Sequence, residues 1–197
     1  ATDALAIQKA IDDVGPGGVV KLQRRRFTGT HNYFIIDRTI NVYDRKLIGE
    51  VGGHGTTRAL NIAWYGPVSE QNGGTYAINV GQRGYLANLF INCRDLSRGV
   101  IFDNADYAHL YDNLSIYKSR QVGLDCVDTV DCSGSNLLLS QTRGIAWRIF
   151  RGNSARFRKT RLSNCYGLWD STDPDSSAYA LYECQNGRAA AEVLPNY

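Results

Sequence analysis

With 197 residues, 43% of them hydrophobic and 21% charged, the chain has the composition of a folded protein with one sizeable core, not of a disordered segment. The formal net charge of +3 is too small to argue for nucleic acid, and no apolar run approaches the roughly 18 residues that a bilayer crossing needs, so neither nucleic acid nor membrane is an expected partner. Ala1 to Ala10 lack the basic and apolar regions of a signal peptide, and the sequence holds no methionine, which suggests an excised or processed piece with its targeting information elsewhere.

The first predicted element is a helix, with Asp3 as its N-cap, an apolar stripe of Ala4, Ile7, Ile11 and Val14, and a stop at Gly15, Pro16, Gly17 and Gly18. Short β-rich runs follow at Val19 to Leu22, Tyr33 to Ile36, Thr39 to Val42 and Lys46 to Ile48, separated by turn residues. A helix followed only by strands points away from an alternating α/β fold.

From about residue 75 the chain repeats. Gly99, Gly123, Gly144, Gly167 and Gly187 are spaced by 24, 21, 23 and 20 residues. The first three precede the apolar-rich runs Val100 to Phe102, Leu124 to Cys126 and Ile145 to Trp147. Asn88-Leu89, Asn113-Leu114 and Asn136-Leu137 each open a further short strand, and Arg94, Arg120 and Arg143 close the corresponding coils. A period in the low twenties with short strands and no helix describes an all-β fold, the parallel β-helix. One coil cannot bury its apolar side chains alone, whereas stacked coils pair their backbones and line up their inward residues. Leucine-rich repeats share the period but need a fixed leucine ladder ending in Asn or Cys, which successive units do not sustain. In this scheme residues 1–18 are a capping helix and turn, 19–187 are the coils, and 188–197 are a tail or cut-off coil, all in one domain. The helix shields the open edge of the first coil. No equivalent cap is evident at the other end, which is either cut short or covered by another subunit.

The opening Thr2-Asp3, Ala6-Ile7-Gln8 and Ala10-Ile11-Asp12, followed by Gly17-Gly18-Val19-Val20 and Leu22, resembles the entry to the pectin-lyase-like right-handed parallel β-helices. That superfamily includes pectate-lyase-type enzymes, alginate epimerases and lyases, and phage tailspike depolymerases. Leu47, Gly49, Gly52, Gly53, His54, Gly55, Thr56 and Thr57 look like its glycine-rich turn. The resemblance is specific over about the first 60 residues and continues as repeat rhythm. It departs where many members carry a Pro-x-Gly turn and this chain has Gln23-Arg24-Arg25-Arg26, and no catalytic signature of a named subfamily is evident. The resemblance implies a right-handed helix, a polysaccharide partner, an extracellular or virion-associated setting and, by likeness to tailspikes, a homotrimer. It also implies calcium, which β-helix lyases often use; the residues themselves make no cofactor evident.

Alternation turns Val100, Phe102, Leu124, Cys126, Ile145 and Trp147 inward and Ile101, Asp103, Asp125, Val127, Ala146 and Arg148 outward. Asp103 and Asp125 then sit on neighbouring coils roughly 8 Å apart, within the approximately 6.5–9.5 Å of an inverting glycosidase pair. The alternative is a pair of solvated turn carboxylates, and one register slip abolishes the pairing. Charge is segregated, with Asp103, Asp106, Asp112, Asp125, Asp128 and Asp131 in one stretch and Arg148, Arg151, Arg156, Arg158, Lys159 and Arg161 in the next. This either sets proton-transfer groups beside an anion-gripping site, where Arg148 matches a sugar carboxylate, or neutralises adjacent coils. His109, among Asp106, Tyr107, Tyr111 and Asp112, is a candidate base. Tyr107 and Tyr111 are candidates for stacking on sugar or transferring a proton, and Trp169 for a sugar platform or an end plug. His54 reads as a hydrogen-bonding spacer, and the Arg24 to Arg26 run as a solvated face. The five cysteines lack zinc-site spacing and read mostly as buried small hydrophobes, with Cys126 to Cys132 the one local bridge to examine. The functional expectation is a polysaccharide-binding β-helix acting as a lyase or glycoside hydrolase on an anionic glycan, against a non-catalytic module of a virion or cell-surface fibre.

Overall fold

A computed structural model describes residues 2–24, 33–51, 59–69, 74–106, 108–150, 156–163 and 179–185. One helix, α1 (Ala4–Asp13), precedes β1 (Val19–Leu22), β2 (Phe34–Ile36), β3 (Ile40–Val42), β4 (Lys46–Gly49), β5 (Leu60–Trp64), β6 (Tyr76–Val80) and β7 (Tyr85–Asn92). Then come β8 (Arg98–Asp103), β9 (His109–Tyr117), β10 (Val122–Val127), β11 (Ser133–Ser140), β12 (Ile145–Phe150), β13 (Arg156–Ser163) and β14 (Tyr179–Gln185). The strands form two parallel sheets. The smaller runs β3-β6-β8-β10-β12; the larger runs β1-β4-β7-β9-β11-β13-β14, with β5 beside β7 and β2 beside β5. The chain is a β-solenoid, and the five strands of the smaller sheet mark about five turns.

Equivalent side chains on successive coils stack into ladders. Ile40, Ile78, Val100, Leu124 and Trp147 stand in register and form one inward ladder. Leu60, Leu89, Leu114 and Leu137 form another, and Ile62, Ile91, Ile116 and Leu139 a third. All of these side chains are buried. Full burial of one Leu or Ile contributes about 1.5–3 kcal/mol, so the ladders supply the attraction that a single coil lacks.

The Asn-Leu marks fall at a bend within the long strands of the larger sheet, not at strand starts. Asn88, Asn113 and Asn136 have φ of 55°, 51° and 57°, a left-handed conformation that Asn tolerates better than most residues. The side chain of Asn113 donates to that of Asn88 at 3.0 Å, which ties adjacent bends together. The glycine rhythm also needs correction in its third unit. Leu124 pairs with Trp147, so Gly144 is not the counterpart of Gly123, and Ile145 stands beside Val122, half-buried. A Cβ on Gly99 or Gly123 would run into the carbonyl of the next coil, at Gly123 or Ala146. Close backbone approach of Gly99, Gly123 and Ala146 therefore sets the register, and Ala146, expected outside, is buried.

The helix caps the first coil by a route that its sequence does not announce. Ala4, Ile7 and Ile11 are buried, but Asp3 makes no side-chain cap bond to its own helix. Its carboxylate and backbone instead engage Ile35 of β2: Ile35 N–H donates to Asp3 Oδ2 at 2.9 Å and Asp3 N–H to the Ile35 carbonyl at 2.7 Å. Gln8 treats β3, the edge of the smaller sheet, in the same way. Its Oε1 accepts from Asn41 N–H at 2.8 Å and its Nε2 donates to the Asn41 carbonyl at 3.2 Å, as a neighbouring strand would.

Cys93, Cys126 and Cys132 are buried free thiols, so the Cys126–Cys132 bridge is not formed. Cys126 belongs to the core, and the Cys132 thiol donates to the carbonyl of Ala105 at 2.8 Å. No helix among the described residues is long and apolar enough to cross a membrane.

Candidate functional site

Residues three apart on a regular strand point to opposite faces. His109 and Asp112 of β9 nevertheless meet, with His109 Nε2 3.0 Å from Asp112 Oδ2. The cause is a β-bulge. Ser133 pairs with His109 and Gly134 with Tyr111, which leaves Leu110 as an extra residue. Leu110 and Tyr111 are both buried, and the strand resumes its alternation with Asp112 on the same outer face as His109.

The next coil completes the cluster. Ser133 Oγ lies 2.8 Å from His109 Nδ1, Ser135 donates to Asp112 Oδ1, and the Tyr85 hydroxyl donates to Asp112 Oδ2 at 3.3 Å. Partial burial pushes the Asp112 carboxyl up, but hydrogen bonds from Ser135 and His109 outweigh it and hold the group below the usual carboxylate range. Burial and then the Asp112 charge push the Tyr85 phenol up, so it stays a donor. His109 and Asp112 keep 44% and 41% of their side-chain surface, so the cluster is open to a ligand.

This cluster borders a cleft of about 950 Å³ that crosses the outer face of the larger sheet. Val19, Lys46, Tyr85 and His109 come from successive coils, and Arg83, Gln82 and Asp106 line the turns beside them. At about 4.8 Å per strand, four coils span about 14 Å. Lys46 and Arg83 are the cations of the cleft's lining and Asp106 its carboxylate, with Asp112 at its border.

The other expected residues lie elsewhere. Asp103 is exposed on the outer face of the smaller sheet. Its register to Asp125 is the expected one, since Asp125 pairs with Ile101, two residues before Asp103. Asp125 is not the open carboxylate that a glycosidase pair needs: it has no exposed surface. Arg148, its partner on the next strand, grips it with two donors, Nε to Oδ1 at 2.9 Å and Nη2 to Oδ2, and the Tyr76 hydroxyl donates to Oδ2 as well. Arg148 therefore neutralises a neighbouring coil. Burial, with the Asp125 charge, pushes the Tyr76 phenol well up and keeps it protonated. Tyr111 is fully buried, its ring 5.9 Å from that of Phe102, so it cannot stack on a sugar. Tyr107, Trp169, His54, Arg25, Arg26 and Cys165 lie outside the described residues. Among the described residues no three His, Cys, Asp or Glu side chains converge as a metal shell would.

No protein-family model matches the sequence, and no curated protein matches it. Among solved structures the chain is similar to the ORF18 protein of Geobacillus virus E2, with a TM-score of 0.68 and 12% identity over 95% of this chain and 39% of that one. The shared fold is the β-solenoid. The chain thus spans well under half the length of the viral protein, and at this identity the likeness concerns fold alone. A Parabacteroides merdae protein provisionally described as a glycosyl hydrolase is similar with a TM-score of 0.49 and 11% identity, over 94% of this chain and 91% of that one.

Sequence reasoning singled out His109 as a candidate among Asp106, Tyr107, Tyr111 and Asp112, and did not single out Lys46, Arg83, Tyr85, Ser133 or Ser135, which the structure places beside it or along the same cleft. A signal was present. In His109-Leu110-Tyr111-Asp112 two large apolar residues stand side by side between polar ones, which a regular half-exposed strand does not allow.

Proposed function

We propose that the chain is a polysaccharide-binding β-solenoid of the pectin-lyase-like kind, and that the cleft over β1, β4, β7 and β9 holds an anionic glycan. One observation carries this reading: an open groove across four coils combines Lys46 and Arg83 with the exposed His109–Asp112 pair. The cations attract the carboxylates of an acidic sugar chain, the Tyr85 ring offers a stacking face, and His109 is the proton-transfer group within reach. Such a protein works outside the cell or on a virion, where a trimer is the expected assembly. Affinity electrophoresis against acidic and neutral polysaccharides tests it. Acidic chains should retard the protein, Lys46→Ala and Arg83→Ala should weaken retardation, and added salt should abolish it. Equal retardation by neutral chains, or none by acidic ones, would remove the assignment.

A non-catalytic module of a virion or cell-surface fibre is the second reading. The sealing of Asp125 by Arg148 and Tyr76 favours it over hydrolysis by an Asp103–Asp125 pair, because one of the two acids has no access to substrate. Assays for new reducing ends and for unsaturated sugar products separate the two readings. Retained binding without either product supports the fibre module.

A further inference from the structure

Three side chains around the bulge form a connected relay. Ser133 Oγ is 2.8 Å from His109 Nδ1, and His109 Nε2 is 3.0 Å from Asp112 Oδ2. A neutral imidazole carries one ring proton, and an ionised carboxylate can only accept. The proton therefore sits on Nε2 and points at Asp112, which leaves the Nδ1 lone pair facing the Ser133 hydroxyl. Asp112 is itself fixed from two other sides, by Ser135 and by Tyr85. Hydroxyl, imidazole and oriented carboxylate in this order are the parts of an activated serine nucleophile, recognised by geometry and role, not by sequence order.

We propose that Ser133 is a nucleophile for acyl esters carried on the glycan that the cleft binds, with His109 as its general base and Asp112 as the residue that positions His109. This rests on the cleft being a glycan site and adds a reaction to it. As the Ser133 Oγ–carbon bond forms, the hydroxyl proton passes to His109 Nδ1 and the carbonyl π electrons move to oxygen. Collapse of that intermediate breaks the ester C–O bond, and the sugar hydroxyl leaves with the proton from the imidazolium. Water, deprotonated by the same ring, then attacks the acyl-serine; the Ser133 Oγ–carbon bond breaks, the imidazolium returns its proton to Oγ, and a carboxylic acid and free Ser133 are released. A glycosidic bond offers no carbonyl to such a nucleophile.

The purified chain is incubated with 4-nitrophenyl acetate and with an O-acetylated acidic polysaccharide, with acetate release as readout. It is also treated with a fluorophosphonate probe followed by peptide mapping. The probe should label Ser133, and Ser133→Ala should lower ester turnover about 10³-fold or more. Ser133→Cys should trap the acyl group as a thioester visible by mass. Ser133 is only half-buried, so the alanine variant should fold, and circular dichroism checks this. Absence of probe at Ser133, or turnover in Ser133→Ala within twofold of the parent, overturns the nucleophile. Ester turnover that depends on Ser133 in a chain that binds no acidic glycan upholds the relay and overturns the reading of the cleft. Glycan binding with no ester turnover does the reverse.

Discussion

The sharpest stability test concerns the charge pair on the smaller sheet. Asp125 is sealed from solvent while Arg148 keeps 31% of its side-chain surface, so the two partners are unequal in what their loss exposes. Replacing Arg148 with Met removes both guanidinium donors and leaves the Asp125 carboxylate buried with only the Tyr76 hydroxyl among described partners. Stranding a buried charge in this way costs about 3–5 kcal/mol, and the partial exposure of Arg148 argues for the lower end, about 3 kcal/mol. Replacing Asp125 with Asn removes the charge and keeps the shape. The guanidinium can turn toward water, so the cost falls to about 1–2 kcal/mol. In the double variant no charge remains to strand, so its loss should fall short of the sum of the single losses by more than about 1 kcal/mol. Urea denaturation of the four proteins, with equal slopes required, measures all three quantities. Equal effects of the two single substitutions, or strict additivity in the double, would refute a buried ion pair held against solvent. The Asn variant also speaks to chemistry, because a sealed Asp125 predicts that any glycan or ester turnover survives it.

Gln8→Ala should lose the two bonds that stand in for a neighbouring strand at Asn41 and destabilise by about 1–2 kcal/mol by urea denaturation, whereas Gln8→Glu keeps only the acceptor and should fall between. Gly134→Ala should cost about 1–3 kcal/mol, because its Cβ would meet the buried Tyr111 ring, and pairing it with Tyr111→Leu should recover part of the loss. Burial pushes the thiols of Cys93 and Cys132 up to about 12 and about 11, so the unfolded chain gives up these protons first. Their contribution is complete below the ordinary thiol range and is lost as pH rises through those folded values, so the urea midpoint should drop between pH 8 and pH 11; an unchanged midpoint counts against this. Cys93, Cys126 and Cys132 should also resist alkylation until the chain is unfolded.

The solenoid was legible because its cause is periodic. Residues such as Val100 and Leu124 recur at the coil length for the same reason that they stack, so spacing alone reports the contact. Features that depend on one specific contact were not legible. Asp3 looks like any N-cap, and only the position of β2 shows that its carboxylate serves Ile35. Asp125 alternates outward as expected, yet Tyr76, 49 residues away, reaches across to help bury it. The glycine at position 144 keeps the rhythm of the sequence but not its place in the ladder, because the close approach of Gly123 and Ala146 decides the register.

The bulge in β9 shows how packing and the candidate chemistry depend on each other. One added residue, Leu110, buries two consecutive large side chains, and the ring of Tyr111 then fills the space over the next coil where any residue larger than Gly134 would stand. That inward packing fixes the bulge. The bulge in turn brings His109 and Asp112, which alternation would send to opposite faces, onto one face beside Ser133 and Ser135. A regular strand with the same side chains would turn either Leu110 or Tyr111 outward and have no relay, since its imidazole and carboxylate would be separated by the sheet. The serines of β11 sit in ordinary register and need no distortion of their own. The unusual geometry is therefore confined to one residue of one coil, and the neighbouring coils hold it there.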